Sequence, residues 1–303
     1  MVKWTSNNIP NQQGKIFLVT GANSGTGLAT SKFLAQNGAK VIIAVRSLNK
    51  GKEAASMIRK NTPNADLEVM ELDLADLESV RQFANAFAKK YSSLDVLINN
   101  AGIANPNQRQ ETKQRFEAHL GTNHLGHFAL TGALLPMLKA TKNSRIVTVA
   151  SFVPKNSKSV IKWNDLQHTK DFDGMTAYGQ SKLANIMFAL ELQEKLKQSG
   201  SSVISVVINP GFNKSGMQRD MTFIQKLMTS IVAQSPEMGM LPILRAAIDP
   251  NVKGGEFYGP LKMKEMKGYP ELTQPPKPAL IEKDRQKLWK LSEEMTNTVY
   301  DFS

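Results

Sequence analysis

Short apolar runs alternate along this chain with longer segments in which apolar residues recur every three or four positions. Nearly continuous apolar runs are typical of strands buried on both faces, and the periodic segments are typical of helices. Strict alternation of the two predicts right-handed crossovers and a parallel sheet. The pattern therefore predicts an α/β fold, a doubly wound parallel sheet of about seven strands with helices on both faces. The predicted strands are KIFLVT (15–20), KVIIAV (40–45), LEVMEL (67–72), DVLIN (95–99), RIVTVA (145–150), VISVVI (203–208) and GEFYG (255–259).

No break in composition divides the chain, so we expect one domain over residues 1–303. Residues 212–235 and the proline-rich stretch YPELTQPPKP (269–278) interrupt the alternation. They are predicted to be insertions or loops around the sheet. Residues 260–303 form a predicted C-terminal extension that carries a helix.

The composition, 41% hydrophobic and 21% charged over 303 residues, is typical of a soluble protein with a sizeable core. The chain has no cysteine, which excludes disulfides and thiolate chemistry and fits a reducing compartment. Its N-terminus lacks the apolar run of a signal peptide, and no stretch approaches the ~20 apolar residues of a membrane span. We therefore expect a cytoplasmic protein without a membrane span.

The net charge of +12 fits either a basic solvated surface or a site for an anionic ligand. Residues 40–60 hold six basic side chains against one acidic side chain, which favours one small anion bound at one place. A nucleic-acid-binding protein would show a basic stripe interleaved with aromatic residues, and the sequence shows none. We thus expect a small-molecule ligand and no nucleic-acid partner.

The segment VTGANSGTGLA (19–29) joins the first predicted strand to the first predicted helix, with Gly21, Gly25 and Gly27 in the spacing G-x-x-x-G-x-G. Glycine allows a sharp turn and lets a pyrophosphate approach the backbone, and the helix N-terminus offers N–H groups to the phosphates. A turn that merely needs flexibility is the alternative, but the position at the start of an α/β chain favours a dinucleotide. The turn predicts a Rossmann-type cofactor site that also includes Asn23, Ser24 and Thr26.

The end of the second predicted strand distinguishes the two nicotinamide dinucleotides. NAD sites usually place an acid there to bind the ribose 2′-hydroxyl, whereas this strand ends IIAVRSLNKGK, without an acid. Arg46 can pair with a 2′-phosphate, and Lys50 lies one turn further on. We therefore expect NADP(H) rather than NAD(H); the alternative is that Arg46 simply faces solvent. Asp73, followed by Leu74, ends the third strand and either accepts a hydrogen bond from the adenine amine or caps a helix.

Six motifs occur in the order of a known family: TGANSGTG, LDVLINNAG, TNHLGHF, RIVTVAS, AYGQSK and NPG. Through them, residues 14–260 resemble the short-chain dehydrogenase/reductases. The segments ANSG, NHLGHF, WNDL and SKLAN are most similar to the branch with retinol dehydrogenases and protochlorophyllide reductases, although the absence of cysteine argues against the latter. The resemblance implies an NADPH-dependent oxidoreductase that transfers a hydride between nicotinamide and a carbonyl or alcohol substrate.

Tyr178 and Lys182 lie four residues apart at the start of a predicted amphipathic helix, and hence on one helix face. The pKa of a free tyrosine is about 10, and a neighbouring cation stabilises the phenolate and is expected to lower that pKa. The resemblance implies that Tyr178 is the general acid in reduction and the base in oxidation, and that Lys182 also binds the nicotinamide ribose. Alone, the pair would be more typical of a solvated surface.

Ser151 closes the fifth predicted strand, 27 residues before Tyr178, where its hydroxyl can hold the substrate oxygen. The family often has two adjacent serines here, whereas this chain has Ala150 followed by Ser151. Ser151 is therefore the only candidate serine in register with the family's site. Asn123 lies on an otherwise apolar helix face. The resemblance assigns Asn123 to a water that relays protons to Lys182; the alternative is a structural hydrogen bond to a neighbouring backbone group.

Other expected contacts come from the same resemblance. We expect the histidines of TNHLGHF to be packing or surface residues, and no cluster has the spacing of a metal site. The remaining expected cofactor contacts are Asn99, Asn100, Ala101 and Gly102 after the fourth strand, Pro210 and Gly211 after the sixth, and Ser215 in place of the family's usual threonine.

Substrate choice is expected to depend on residues 151–171 and on the methionine-rich stretch 217–233. A flexible apolar cover favours a lipophilic carbonyl, unless that stretch packs on its own sheet. An alternative function is a catalytically idle NADP(H)-binding regulatory protein of the same fold. The resemblance also allows a homodimer through the helices that carry Asn123 and Tyr178.

Overall fold

Seven parallel strands and one antiparallel edge strand form a single sheet in the computed structural model, which describes residues 3–104, 108–213 and 233–303. The sheet order is β3-β2-β1-β4-β5-β6-β7-β8, so the predicted doubly wound α/β fold is confirmed. The strands are β1 Ile16–Thr20, β2 Lys40–Val45, β3 Leu67–Glu71, β4 Val96–Asn99, β5 Arg145–Val149, β6 Ile204–Ile208, β7 Phe257–Lys262 and β8 Lys267–Thr273.

The strand order reverses at β1, which pairs with β2 on one side and with β4 on the other. Leu18 of β1 lies beside Ile42 and Leu97 in this register, and all three side chains are fully buried. Ligands of open α/β sheets bind outside the carboxyl ends of the strands at such a reversal. The fold therefore places a binding crevice at the ends of β1 and β4.

Helices cover both faces of the sheet. One core lies between the sheet and α1, α2 and α7, and a second lies between the sheet and α3, α4 and α6. The helices are α1 Gly25–Gln36, α2 Leu48–Asn61, α3 Leu77–Lys90, α4 Gly126–Ala140, α5 Val153–Asn156, α6 Gly174–Gln198, α7 Pro236–Ile248 and α8 Glu282–Thr296. None of these helices combines the length and the apolar character that crossing a bilayer requires.

A π-helical turn, Leu120–Leu125, runs directly into α4. Helical structure after β4 begins only at residue 118, because residues 108–117 form a turn and an isolated bridge between Glu111 and Glu117. π-Helical turns are rare and occur frequently at functional sites. This one contains Asn123.

The proline-rich stretch 269–278, predicted to be a loop, contributes instead to β8. Pro270 lies opposite Pro260 in the antiparallel pair with β7. Proline cannot donate a ladder hydrogen bond and is tolerated on edge strands, which explains why the sequence pattern concealed this strand.

The C-terminal segment 282–303 packs against α4 and α6 on the side away from the sheet. Trp289 contacts Phe128 of α4 with ring centroids 5.0 Å apart and stacks on Phe188 of α6 at 5.9 Å. The Tyr300 hydroxyl donates a hydrogen bond of 2.6 Å to the Phe128 carbonyl. All described helices thus pack on one sheet or on its covering helices, while the division into one domain stays a prediction.

Candidate active site

The glycine turn between β1 and α1 presses against the chain that follows β4. Gly21 has a φ of +66°, and a Cβ there would lie 2.9 Å from the Ala101 Cα. A Cβ on Gly27 would lie 2.5 Å from the Asn100 Nδ2. Ser24, at the N-cap of α1, makes no side-chain capping bond, so the first-turn N–H groups of α1 remain available to an anion. The close approach of the chain after β4 thus requires these glycines, and the open N-terminus of α1 fits the pyrophosphate of a dinucleotide.

Hydrogen bonds join this turn to the end of β4. The Thr26 hydroxyl donates to the Asn100 side-chain oxygen at 3.2 Å, and the Asn100 amide donates to the Thr20 carbonyl at 2.8 Å. The Thr20 hydroxyl accepts the backbone N–H groups of Asn100 and Ala101, both at 2.9 Å. Thr26 therefore helps to fix the glycine turn. Asn99 points elsewhere, since its amide donates to Thr131 at 2.9 Å.

The candidate ligands of the adenosine half lie at the ends of β2 and β3. Arg46 and Lys50 are exposed, and within the described ranges neither side chain makes an ion pair or a hydrogen bond to the protein. Asp73 accepts the Ala75 N–H at 2.9 Å, whereas the N-cap of α3 is Asp76. The helix-cap alternative for Asp73 is therefore wrong, and its adenine contact stays a prediction. Leu74 is buried, and Asn23 is partly buried.

Three of the four predicted catalytic residues, Ser151, Tyr178 and Lys182, line one cavity of about 310 Å³ at the carboxyl ends of β4, β5 and β6, and Asn123 is not among its lining residues. Its polar lining comes from the strand ends and from the first turns of α6. Those lining residues include Thr26, Asn100, Gly102, Ser151, Tyr178, Lys182, Pro210 and Gly211.

Tyr178 and Ser151 line the same cavity. Burial raises the pKa of Tyr178 above its ordinary value, and its interaction with the Ser151 side chain opposes the shift. Ser151 Oγ also accepts the Val153 N–H at 3.2 Å, so its own hydrogen can be donated to Tyr178. The structure thus places a protonated phenol beside an oriented hydroxyl.

Lys182 lies beneath Tyr178, with Nζ 5.9 Å from the centre of the phenol ring. The ammonium donates to the Val149 carbonyl at 3.1 Å, and burial lowers the pKa of Lys182 to about 8. The net lowering of the Tyr178 pKa that the spacing predicted is not found, because burial disfavours the charged forms of both Tyr178 and Lys182.

Asn123 holds the chain that follows β4. Its amide donates to the Ile103 carbonyl at 3.0 Å and to Ser181 Oγ at 2.9 Å, and its oxygen accepts the Ile103 N–H at 2.8 Å. A Cβ on Gly102 would lie 3.1 Å from Asn123 Oδ1 and 3.4 Å from Lys182 Nζ, so both side chains reach the same point. The structural hydrogen bonds are present, and the proton-relay role stays a prediction.

His124 and His127 are both fully buried, so they are not surface residues. His127 Nδ1 donates to the Asn123 carbonyl, and its Nε2 accepts from the Thr20 hydroxyl, both at 2.9 Å. Burial lowers the pKa of His127 to about 4 and the pKa of His124 to about 3. Asn123 and His127 lie four residues apart on a face predicted to be apolar, and this spacing could have indicated their pairing.

The substrate side of the cavity is mainly apolar. Phe152 and Phe212 meet edge to face with centroids 6.4 Å apart. Ser215 and most of the 212–235 insertion lie outside the described residues. No group of three potential metal ligands occurs within the described ranges. The apolar lining includes Ile103, Ala104, Phe152, Val153, Met175 and Phe212.

Comparison with known proteins gives consistent similarities. A profile of the short chain dehydrogenase family matches residues 15–223. Human retinol dehydrogenase 11 is 41% identical over 237 residues, which are 78% of this chain and 73% of that protein. A crystal structure of an uncharacterized protein from Mycobacterium paratuberculosis matches 99% of this chain and 100% of its own, with a TM-score of 0.82 and 36% identity. A short chain dehydrogenase from Escherichia coli CFT073 complexed with NADPH matches 82% of this chain and 96% of its own, with a TM-score of 0.63 and 25% identity.

Replacing Lys182 with methionine should change how stability depends on pH. The pKa of Lys182 is about 8 in the folded chain against an ordinary 10.5, so the unfolded chain binds more protons between these values. The free energy of unfolding should therefore rise between about pH 8 and pH 10.5. Below about pH 8, the buried charge lowers the free energy of unfolding by about 3 kcal/mol. Urea unfolding should show that Lys182→Met removes this rise.

The exposed Lys52 offers a matched substitution, because Lys52→Met should leave the rise intact. A difference in unfolding free energy between wild type and Lys182→Met that stays constant from about pH 7 to pH 10 would contradict the assigned burial of the charge.

Proposed function

The chain belongs to the short-chain dehydrogenase/reductase family of oxidoreductases, in the branch similar to retinol dehydrogenases, and on this premise we propose its reaction. We propose that it transfers a hydride between NADP(H) and a lipophilic carbonyl or alcohol. The observation that carries the proposal is one cavity that brings Ser151, Tyr178 and Lys182 together at the ends of parallel strands.

Tyr178 holds the proton that the reaction needs. In reduction, its hydroxyl donates that proton to the substrate oxygen, and in oxidation the phenolate takes the proton back. Ser151 donates a hydrogen bond to the same oxygen as its negative charge grows, because Ser151 Oγ is already oriented by the Val153 N–H. The bound nicotinamide cofactor supplies or accepts the hydride.

Lys182 and Asn123 assist the transfer of the proton to and from Tyr178. Lys182 donates one hydrogen to the Val149 carbonyl, which leaves its other hydrogens for the nicotinamide ribose. The ammonium stabilises a phenolate at Tyr178 once the proton has left. Asn123 is held beside Lys182 by its bonds to Ile103 and Ser181, and in the proposed reaction it orders a water that returns a proton to Lys182.

Arg46 supports the choice of NADP(H). It follows β2, the strand whose end lies beside the ribose in dinucleotide sites, and no acid lies there to repel a 2′-phosphate. The similar Escherichia coli protein is complexed with NADPH, which is consistent with this choice. Lys50, one turn into α2, adds to the positive charge.

The apolar lining from Phe152, Val153, Met175 and Phe212 supports a lipophilic substrate. Apolar side chains gain free energy from covering an alkyl or polyene chain and offer little to a charged or sugar-like one. The similarity to a retinol dehydrogenase agrees with such a substrate.

Two further expectations stay predictions: a cytoplasmic location and a homodimer. A homodimer through α4 and α6 would have to displace Trp289 and Tyr300 from Phe128, since these residues cover that face. Any homodimer of this chain is therefore expected to use another surface.

Tyr178→Phe tests the proposed chemistry. Loss of the proton donor should lower turnover by about 10²- to 10⁴-fold, while NADPH binding stays within about twofold of wild type. Turnover is followed by NADPH absorbance and binding by NADPH fluorescence.

Tyr91→Phe is the control, because Tyr91 bonds Glu68 far from the cavity. An enzyme whose turnover survives Tyr178→Phe would refute the assigned proton donor. A wild-type chain that binds NADPH but reduces no aldehyde, ketone or retinoid would support an idle binding protein instead.

Arg46→Ala tests the choice of cofactor. Removal of a charge-assisted hydrogen bond should raise the KM for NADPH by about 10- to 100-fold and leave the KM for NADH nearly unchanged. Lys52→Ala removes an exposed charge from α2 without this role and should alter neither value. Equal losses with both cofactors in Arg46→Ala would remove the basis for preferring NADPH.

A series of straight-chain aldehydes tests the lipophilic site. Each added methylene that enters the cavity should raise kcat/KM by about fourfold until the cavity is filled. A flat series, or a preference for the shortest aldehydes, would contradict an apolar substrate site.

A further inference from the structure

The π-helical turn that carries Asn123 is joined to the C-terminal helix by one buried hydrogen bond. His124 Nε2 lies 2.8 Å from the Ser292 hydroxyl of α8, and the two residues are 168 positions apart in the chain. Both side chains are fully buried. The bond therefore ties the helix that presents Asn123 to a segment with no residue in the active-site cavity.

The donor in this bond is the histidine. Ser292 Oγ donates its own hydrogen to the Leu288 carbonyl at 2.8 Å and can only accept from His124. Burial keeps His124 neutral, since it lowers the pKa of this histidine to about 3. A neutral imidazole has one N–H, and the Ser292–Leu288 bond favours its placement on Nε2, while the other side of the ring faces Asn185. Without Ser292 Oγ, Nε2 would lose its hydrogen-bond partner in this buried position.

Directed hydrogen bonds hold the π-helical turn on three sides. The Asn123 side chain bonds Ile103 and Ser181 on the cavity side, and His127 holds the Asn123 carbonyl along the helix. His124 supplies the bond on the outer side. A π-helical turn contains one more residue than the α-helical turn it replaces, and it persists only where surrounding contacts enforce it.

The acceptor is rigidly placed. Trp289, one turn before Ser292, lies among the rings of Phe128, Phe188 and Tyr300 with centroid distances of 5.0, 5.9 and 4.6 Å. Arg285, two turns before Ser292, pairs with the buried Glu191 of α6 at 3.3 Å. Packing of α8 thus fixes the position of the Ser292 hydroxyl that bonds His124 in the π-helical turn.

We propose that Ser292 is a positioning residue of the active site, which acts through His124 to hold the π-helical turn in the register that directs Asn123 at Ile103 and Ser181. The proposal rests on the proposed function, because Asn123 matters only if the cavity is catalytic. Loss of the His124 bond lets the turn relax toward α-helical geometry, which rotates Asn123 relative to α4. The C-terminal helix is then part of the catalytic scaffold.

Ser292→Ala compared with Thr296→Val provides the test. Thr296 is also buried on α8, and its hydroxyl bonds the Ser292 carbonyl at 2.7 Å without touching His124. Each variant removes one buried hydroxyl from the same helix. Ser292→Ala should lower kcat by about 10- to 100-fold with the KM for NADPH unchanged, whereas Thr296→Val should leave kcat within about twofold. Ser292→Cys, which keeps the size and a weak acceptor, should lie between wild type and Ser292→Ala.

A second measurement does not depend on turnover. Hydrogen exchange of the backbone amides at residues 120–126 should become faster in Ser292→Ala but not in Thr296→Val, and the imidazole N–H resonance of His124 should shift only in Ser292→Ala. Equal kcat in the two variants, or unchanged exchange at residues 120–126 in Ser292→Ala, would overturn the proposal. If the wild-type chain shows no turnover with any substrate, the proposed function fails, and the exchange and resonance data still decide whether Ser292 holds the turn.

Discussion

A lysine ammonium held in an apolar interior, with a backbone carbonyl as its partner, is the constraint on which the rest of the site depends. Val149 ends β5, and parallel strands present such carbonyl groups at the edge where ligands bind. The cation stays there because α6 is enclosed: from Ala177 to Leu192 all but two residues are buried. The ammonium would have a lower free energy in water than in this interior. The packing around α6 must therefore keep Lys182 buried.

A second set of contacts gives this cation a fixed geometry relative to the cofactor turn. Thr20, at the end of β1, holds the backbone after β4 and also bonds His127, which in turn holds the Asn123 carbonyl. The glycine turn, the chain that follows β4 and the π-helical turn therefore form one connected unit. A displacement at one of these three places is transmitted to the others through directed hydrogen bonds rather than through adaptable apolar packing.

Local sequence patterns predicted the parts of the protein whose conformation is set by residues close together in the chain. The strands β1 to β7, the glycine turn and the Tyr178–Lys182 spacing follow from periodicity and from the needs of a turn. The strand β8 was concealed because proline on an edge strand resembles a loop. The pKa directions of Tyr178 and Lys182 depend on burial by distant segments, which spacing cannot report. The roles of His124 and Ser292 depend on a contact across 168 positions, for which no local signal exists.

The aromatic contact between the C-terminal segment and α4 also affects how the chain reaches its folded state. Tyr300 follows Phe128 by 172 positions, so a ribosome makes both helices well before the residues that cover them. Until then, the outer side of α4 is an exposed aromatic surface, of the kind that chaperones bind and that promotes aggregation. The docking of α8 on α4 is consequently a separate step that follows the synthesis of α4 and α6.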